Sequence, residues 1–172
     1  MNSLNSRYVQ LRESMSYDGL GVPALSIYFS YCDKQECTGY FCNSCQNKEL
    51  QKDGEGYLIN YKNLLSLVQS KLEAMSKIFD DVALVFLGGE PLAKINRAMV
   101  FALSKYFKSK SYSTLVYIWR AIEDLKKESI DLTYYDRIVC GEYLENSLDE
   151  NYVLGSTNQY VIDNKCKKII KY

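Results

Sequence analysis

Apolar residues fall along this chain in short compact runs that alternate with longer amphipathic stretches. The run Ala24-Leu-Ser-Ile-Tyr-Phe-Ser30 is apolar and aromatic and predicts a strand. Between 61 and 79, Leu64, Leu65, Val68, Leu72, Met75 and Phe79 recur at the spacing of one helix face. Residues 82–87 form an unbroken apolar run, which suits a strand covered on both faces. Leu92, Ile95, Met99, Ala102, Leu103 and Tyr106 mark a second amphipathic helix. Pro91 fits its first turn, where no backbone N–H is required. The pattern further predicts strands at 114–119 and 135–140, a short charged helix at 121–128 and a last strand at 160–163. Residues 48–57 are polar and contain glycine, and read as a loop.

Strands that alternate with helices argue an α/β fold with a mainly parallel sheet. The length of 172 residues suits a single domain spanning 1–172, with no repeat or linker to divide it. A closed (β/α)8 barrel takes about 250 residues. The expected architecture is therefore a small open partial (β/α) barrel. Ligand sites in such sheets lie beyond the C-terminal ends of the strands. An open side also favours a macromolecular partner, whose inserted loop would close the site and exclude water.

Charge narrows the functional classes. Lys plus Arg number 21 and Asp plus Glu 21, so no global field draws the chain to nucleic acid or to an anionic membrane. The first residues lack an apolar core, which predicts no signal peptide. No apolar run is long enough to span a bilayer. These features predict a cytoplasmic protein with reduced thiols. The Lys-rich end, 165–171, reads as a solvated tail. The chain contains no histidine, which excludes a Ser-His-Asp triad, a Cys-His protease and every zinc site built with His.

Chemistry concentrates in two places. Cys32, Cys37, Cys42 and Cys45 follow the first predicted strand with spacing C-x4-C-x4-C-x2-C. Clustered thiolates are soft ligands for zinc or for an iron–sulfur cluster. The cysteines alone admit both, zinc taking all four and a catalytic cluster taking three. Gly88-Gly89-Glu90-Pro91 follows the next core strand. A glycine pair there lets the main chain approach a ligand. On this reasoning a Gly89→Val change weakens ligand binding and leaves metal content intact. Cys140 lies in an apolar strand and reads as core. Cys166 has no assigned role.

Together the two motifs resemble the radical S-adenosylmethionine superfamily. Phe29-Ser30-Tyr31-Cys32 is similar to the strand end that leads to the first cluster ligand, and Cys42-Asn-Ser-Cys45-Gln-Asn47 to the last two ligands. Leu87-Gly-Gly-Glu-Pro-Leu92 resembles the turn that contacts the methionyl amino group. Within the superfamily the chain looks most like the activating proteins of anaerobic (class III) ribonucleotide reductases. Asp18-Gly-Leu-Gly21, Asp136-Arg-Ile-Val-Cys-Gly141 and Gly155-Ser-Thr-Asn-Gln159 each resemble a segment of that family, so the likeness runs from about residue 7 to residue 162. There are two departures. The family's first spacing is C-x3-C, whereas here it is C-x9-C from Cys32 or C-x4-C from Cys37. The segment Tyr117-Ile-Trp-Arg120 stands where the family has Tyr-Thr-Gly.

The resemblance implies a [4Fe-4S] cluster on Cys32, Cys42 and Cys45, with Cys37 as the alternative first ligand. It implies that S-adenosyl-L-methionine chelates the open iron and contacts Gly88, Gly89, Glu90 and Pro91, with Asn158 and Gln159 either at the nucleoside or the partner or forming a structural turn. Glu90 either contacts the ligand or orients the turn. The expected reaction is reductive cleavage of the sulfonium followed by hydrogen abstraction from a glycine of the reductase large subunit. An electron donor such as flavodoxin is implied. Few of the 16 tyrosines are expected at so reactive a site. Two other readings compete. One is a radical enzyme on a small molecule, like 7-carboxy-7-deazaguanine synthase, although Gln46-Asn47 stands where those enzymes have Asp-Thr. The other is a zinc-binding interaction module closed by four thiolates.

Overall fold

The computed structural model describes residues 4–15, 17–52, 54–148 and 153–171. In chain order the strands are β1 (Asn5–Ser14), β2 (Ala24–Phe29), β3 (Tyr57–Asn60), β4 (Ala83–Gly88), β5 (Ser113–Ile118), β6 (Arg137–Cys140), β7 (Tyr160–Asp163) and β8 (Lys168–Ile170). The helices are α1 (Lys34–Thr38), α2 (Tyr61–Met75), α3 (Lys94–Ser109) and α4 (Ile122–Lys127). The eight strands form one open sheet in the order β3-β1-β2-β4-β5-β6-β7-β8. The α/β expectation holds, and the sheet does not close into a barrel. Its central strands β2, β4, β5 and β6 are parallel, whereas β1, β3, β7 and β8 join antiparallel at the flanks.

The parallel strands follow one another in a single direction across the sheet. Crossovers of constant hand then place every connecting helix on the same face. The packing agrees. Leu25, Ile27 and Phe29 of β2, with Leu84 and Phe86 of β4, share one core with Leu64, Val68 and Leu72 of α2, Met99 and Leu103 of α3 and Leu125 of α4. Alternate strand residues, among them Ala24, Ala83, Val85, Leu87 and Leu115, point to the other face, where among the described residues no helix residue packs against them. Helix α2 buries Leu64, Val68, Leu72 and Met75, one residue per turn, and begins where the Asn60 side chain accepts a hydrogen bond from Asn63 N.

Some segments differ from the sequence expectation. The segment 48–57, read as a loop, holds a 3-10 turn at Lys48–Gln51 and the start of edge strand β3. The Lys-rich end is not a free tail: Lys168–Ile170 pairs with β7 as strand β8. The N-terminal strand β1 was not visible in the pattern. Cys140 is fully buried in the helix-side core, as expected. No helix among the described residues is long and apolar enough to cross a membrane.

Candidate iron–sulfur site

A cavity of about 480 Å³ lies beyond the C-terminal ends of the parallel strands. Tyr28, Leu87 and Tyr117 from the helix-free face border it. Cys32, Cys42, Cys45, Gly88 and Gly89 lie on its wall, so the fold brings both sequence motifs to one place. Among the described residues, the tyrosines Tyr17, Tyr28, Tyr117 and Tyr143 reach this wall.

Main-chain bonds knit the glycine turn to the cysteine loop. Gly89 N donates to Phe29 O and Glu90 N to Tyr31 O, both at 2.8 Å. Gly88 has φ of +113°, and a Cβ there would stand 2.5 Å from Phe29 O. A Cβ on Gly89 would strike Tyr31 O and Leu50 O. The glycines are therefore required by the backbone packed behind the turn, whatever they do toward a ligand. Tyr31, directly before Cys32, has φ of +74°, a strained conformation for a tyrosine. The loop folds back through Cys32 N donating to Gln51 O at 3.3 Å and Gln51 Nε2 donating to Cys42 O at 2.9 Å. Asn96 of α3 braces the junction, its Nδ2 donating to Ser30 O at 2.8 Å and to Glu90 O at 3.1 Å.

Of the other predicted residues, Gln159 borders the cavity and the rest lie off its wall. Cys37 is exposed on α1, with its Sγ 3.9 Å from an Arg120 nitrogen. Pro91 is buried behind the turn. Asn158 is exposed, and its Nδ2 donates to Glu142 O at 2.8 Å, whereas its neighbour Gln159 borders the cavity. Glu90 is fully buried; its carboxylate accepts from Leu92 N and Trp119 N and lies 3.2 Å from Arg120. Of the two roles left open for Glu90, the geometry is that of an orienting residue.

Arg120 is the centre of this arrangement. It is fully buried and contacts Asp33 at 2.6 Å, Glu128 at 2.8 Å and Glu90 at 3.2 Å. The Trp119 ring lies 4.6 Å from its guanidinium carbon. Desolvation pulls the Arg120 pKa down, yet Glu90, Asp33 and Glu128 outweigh it and hold the group above its ordinary value. Burial raises Glu90 to about 7, with Arg120 opposing and Asp33 adding to the shift. The departure Trp119-Arg120 thus builds an ionic hub that joins the cysteine loop, the glycine turn and α4. Sequence reasoning marked the departure but had no signal for its partners.

Burial also pushes the Cys32 thiol up to about 12, helped by Glu90, and the Cys42 thiol up to about 11, helped by a hydrogen bond with Glu142. Lys34, nearly buried on the cavity wall, opposes the shift at Cys42 and pairs with Glu142. Lys34 and Glu142 escaped the sequence reading, because a lysine and a glutamate in polar loops carry no sign of burial.

Cys32, Cys42 and Cys45 share the cavity wall, and Cys37 does not. No group of three or more Cys, Asp or Glu among the described residues converges on a single metal position. A zinc tetrahedron needs four donors on one point, and Cys37 faces Arg120 instead. A cubane presents separate iron corners, each of which could take one of the three thiols on this wall. The family model described as a 4Fe-4S single cluster domain matches residues 17–162, and the chain belongs to that family. No curated protein matches the chain.

Proposed function

We propose that this chain is a radical S-adenosylmethionine activase that installs a glycyl radical on an anaerobic ribonucleotide reductase. The observation that carries the reading is the meeting of Cys32, Cys42, Cys45 and the Gly88-Gly89 turn on one cavity at the C-terminal strand ends. A [4Fe-4S] cluster held by Cys32, Cys42 and Cys45 would supply the electron for reductive cleavage of S-adenosylmethionine, the chemistry needed to take hydrogen from a partner's glycine.

The chain's own residues hold, orient and shield. Cys32, Cys42 and Cys45 are the ligands, and Cys37 serves Arg120. Gly88 and Gly89 set their main chain on the cavity wall, where it can receive an ammonium group. Glu90 and Pro91 act from behind, Glu90 by fixing the turn to Trp119 and Arg120. Asn158 steadies the segment that carries Glu142. Tyr28, Leu87 and Tyr117 exclude water from the cavity floor. The reductase large subunit and a donor such as flavodoxin are the proposed partners.

The test uses protein purified without oxygen, reduced and mixed with S-adenosylmethionine and the cognate class III reductase. A glycyl radical doublet in electron paramagnetic resonance is expected, lost when the target glycine is replaced. A colourless, iron-free protein overturns the reading. Formation of 5′-deoxyadenosine with no doublet in the reductase moves the assignment to a small-molecule substrate.

A further inference from the structure

Among the described residues, the charged side chains on the cavity wall are Arg12, Asp18, Lys34 and Glu142. Arg12 is exposed on β1, and Asp18 accepts a 2.6 Å hydrogen bond from Ser26 Oγ. Lys34 differs. Its side chain is 3 % exposed, against 26 % for its ion-pair partner Glu142. Its Nζ is buried without a well-formed hydrogen bond among the described residues. The Tyr40 and Trp119 rings lie 4.7 and 5.9 Å from it. A lysine is almost never this buried unless its charge is paired. One half-open carboxylate offsets only part of the desolvation.

The pair sits against a cluster ligand. Lys34 stands two positions after Cys32, at the start of α1. Glu142 follows β6, and Cys42 Sγ reaches the next residue's carbonyl, Tyr143 O, at 3.7 Å. The nearby charges of Asp33, Glu90 and Glu128 are already gathered on Arg120. Lys34 and Glu142 are thus opposite fixed charges beside Cys42, supplied by distant parts of the chain.

We propose that Lys34 and Glu142 set the reduction potential of the cluster, Lys34 raising it and Glu142 lowering it. This rests on Cys32, Cys42 and Cys45 being the ligands, and not on S-adenosylmethionine or any partner. Reduction moves one electron from a low-potential one-electron donor to the cluster, with no atom transferred, and makes the cluster one unit more negative. A buried cation nearby favours that state, and an anion disfavours it. Burial limits the screening of both by water and salt. Net charge and contacts around the ligands are known levers on iron–sulfur potentials.

The experiment compares reconstituted wild type, Lys34→Met, Lys34→Arg, Glu142→Gln and the Lys34→Met/Glu142→Gln double variant. Each is titrated anaerobically with dithionite and mediators, following the reduced cluster's paramagnetic signal. The midpoint is expected to fall in Lys34→Met, to rise in Glu142→Gln and to lie between them in the double variant, with Lys34→Arg near wild type. Opposite signs are something a merely structural role would not produce. No shift, or shifts of one sign, overturns the proposal. If Lys34→Met fails to fold, an unchanged or lowered midpoint in Glu142→Gln overturns it alone. A wild type that takes up no cluster removes the ligand assignment as well, which separates the two failures.

Discussion

Cys32 and Cys37 look alike in the sequence, but their surroundings differ. Cys32 leaves a strand end and faces the cavity, whereas Cys37 sits exposed on α1 beside Arg120. Iron and sulfide measured after reconstitution should be lost in Cys32→Ala, Cys42→Ala and Cys45→Ala and kept in Cys37→Ala. Loss in Cys37→Ala with retention in Cys32→Ala would reverse the assignment. Gly89 gives a second expectation at this scale, changed by the fold. From sequence, Gly89→Val should spare the metal. The added Cβ would instead press on Tyr31 O and Leu50 O, on either side of Cys32 in the loop. Gly89→Val should therefore lower cluster content together with ligand binding. Full iron content in that variant would show that the loop yields without harm.

Between elements, Arg120 does what no single hydrogen bond could. It ties α1's leading Asp33, the β4–α3 turn through Glu90 and the end of α4 through Glu128. Removing one member of a buried ionic group leaves the rest uncompensated, at a cost of about 3–5 kcal/mol. Arg120→Met should lose stability of that order in urea denaturation, and Arg120→Lys should recover only part, lacking the planar fork. A loss below about 1 kcal/mol would mean that the carboxylates find water instead. Legibility at this scale followed burial. Strands β2 and β4, buried along nearly their whole length, are plain in the sequence. Strand β1 is not, because a bulge between Tyr8 and Gln10 breaks its alternation. Tyr8 and Leu11 consequently both pack on the helix-side core, a spacing that period two does not allow. Strands β3 and β8 have apolar residues but are short edge strands, four and three residues long and exposed for much of their length, too brief to set a readable period.

Across the whole molecule, the cavity lies at the C-terminal strand ends, bordered from the helix-free face and apart from most of the helix-covered core. Chelating the iron should therefore lower the melting temperature, since metal binds the folded loop and not the unfolded chain. The strands should persist, with far-ultraviolet circular dichroism nearly unchanged at low temperature. Collapse of that signal on chelation would mean that the cluster organises the core. The sequence by itself determined the strand–helix alternation, since amphipathic period reflects which side of an element is buried. It also determined the cysteine loop and the glycine turn, because thiolates and glycines are chemically singular wherever they fall. Tertiary structure decided which cysteines share a cavity and what the glycines are pressed against. It also decided that Glu90 faces Arg120 and that Lys34 meets Glu142. Those are contacts between residues far apart in the chain, and a charged side chain carries no local mark of the partner that will bury it.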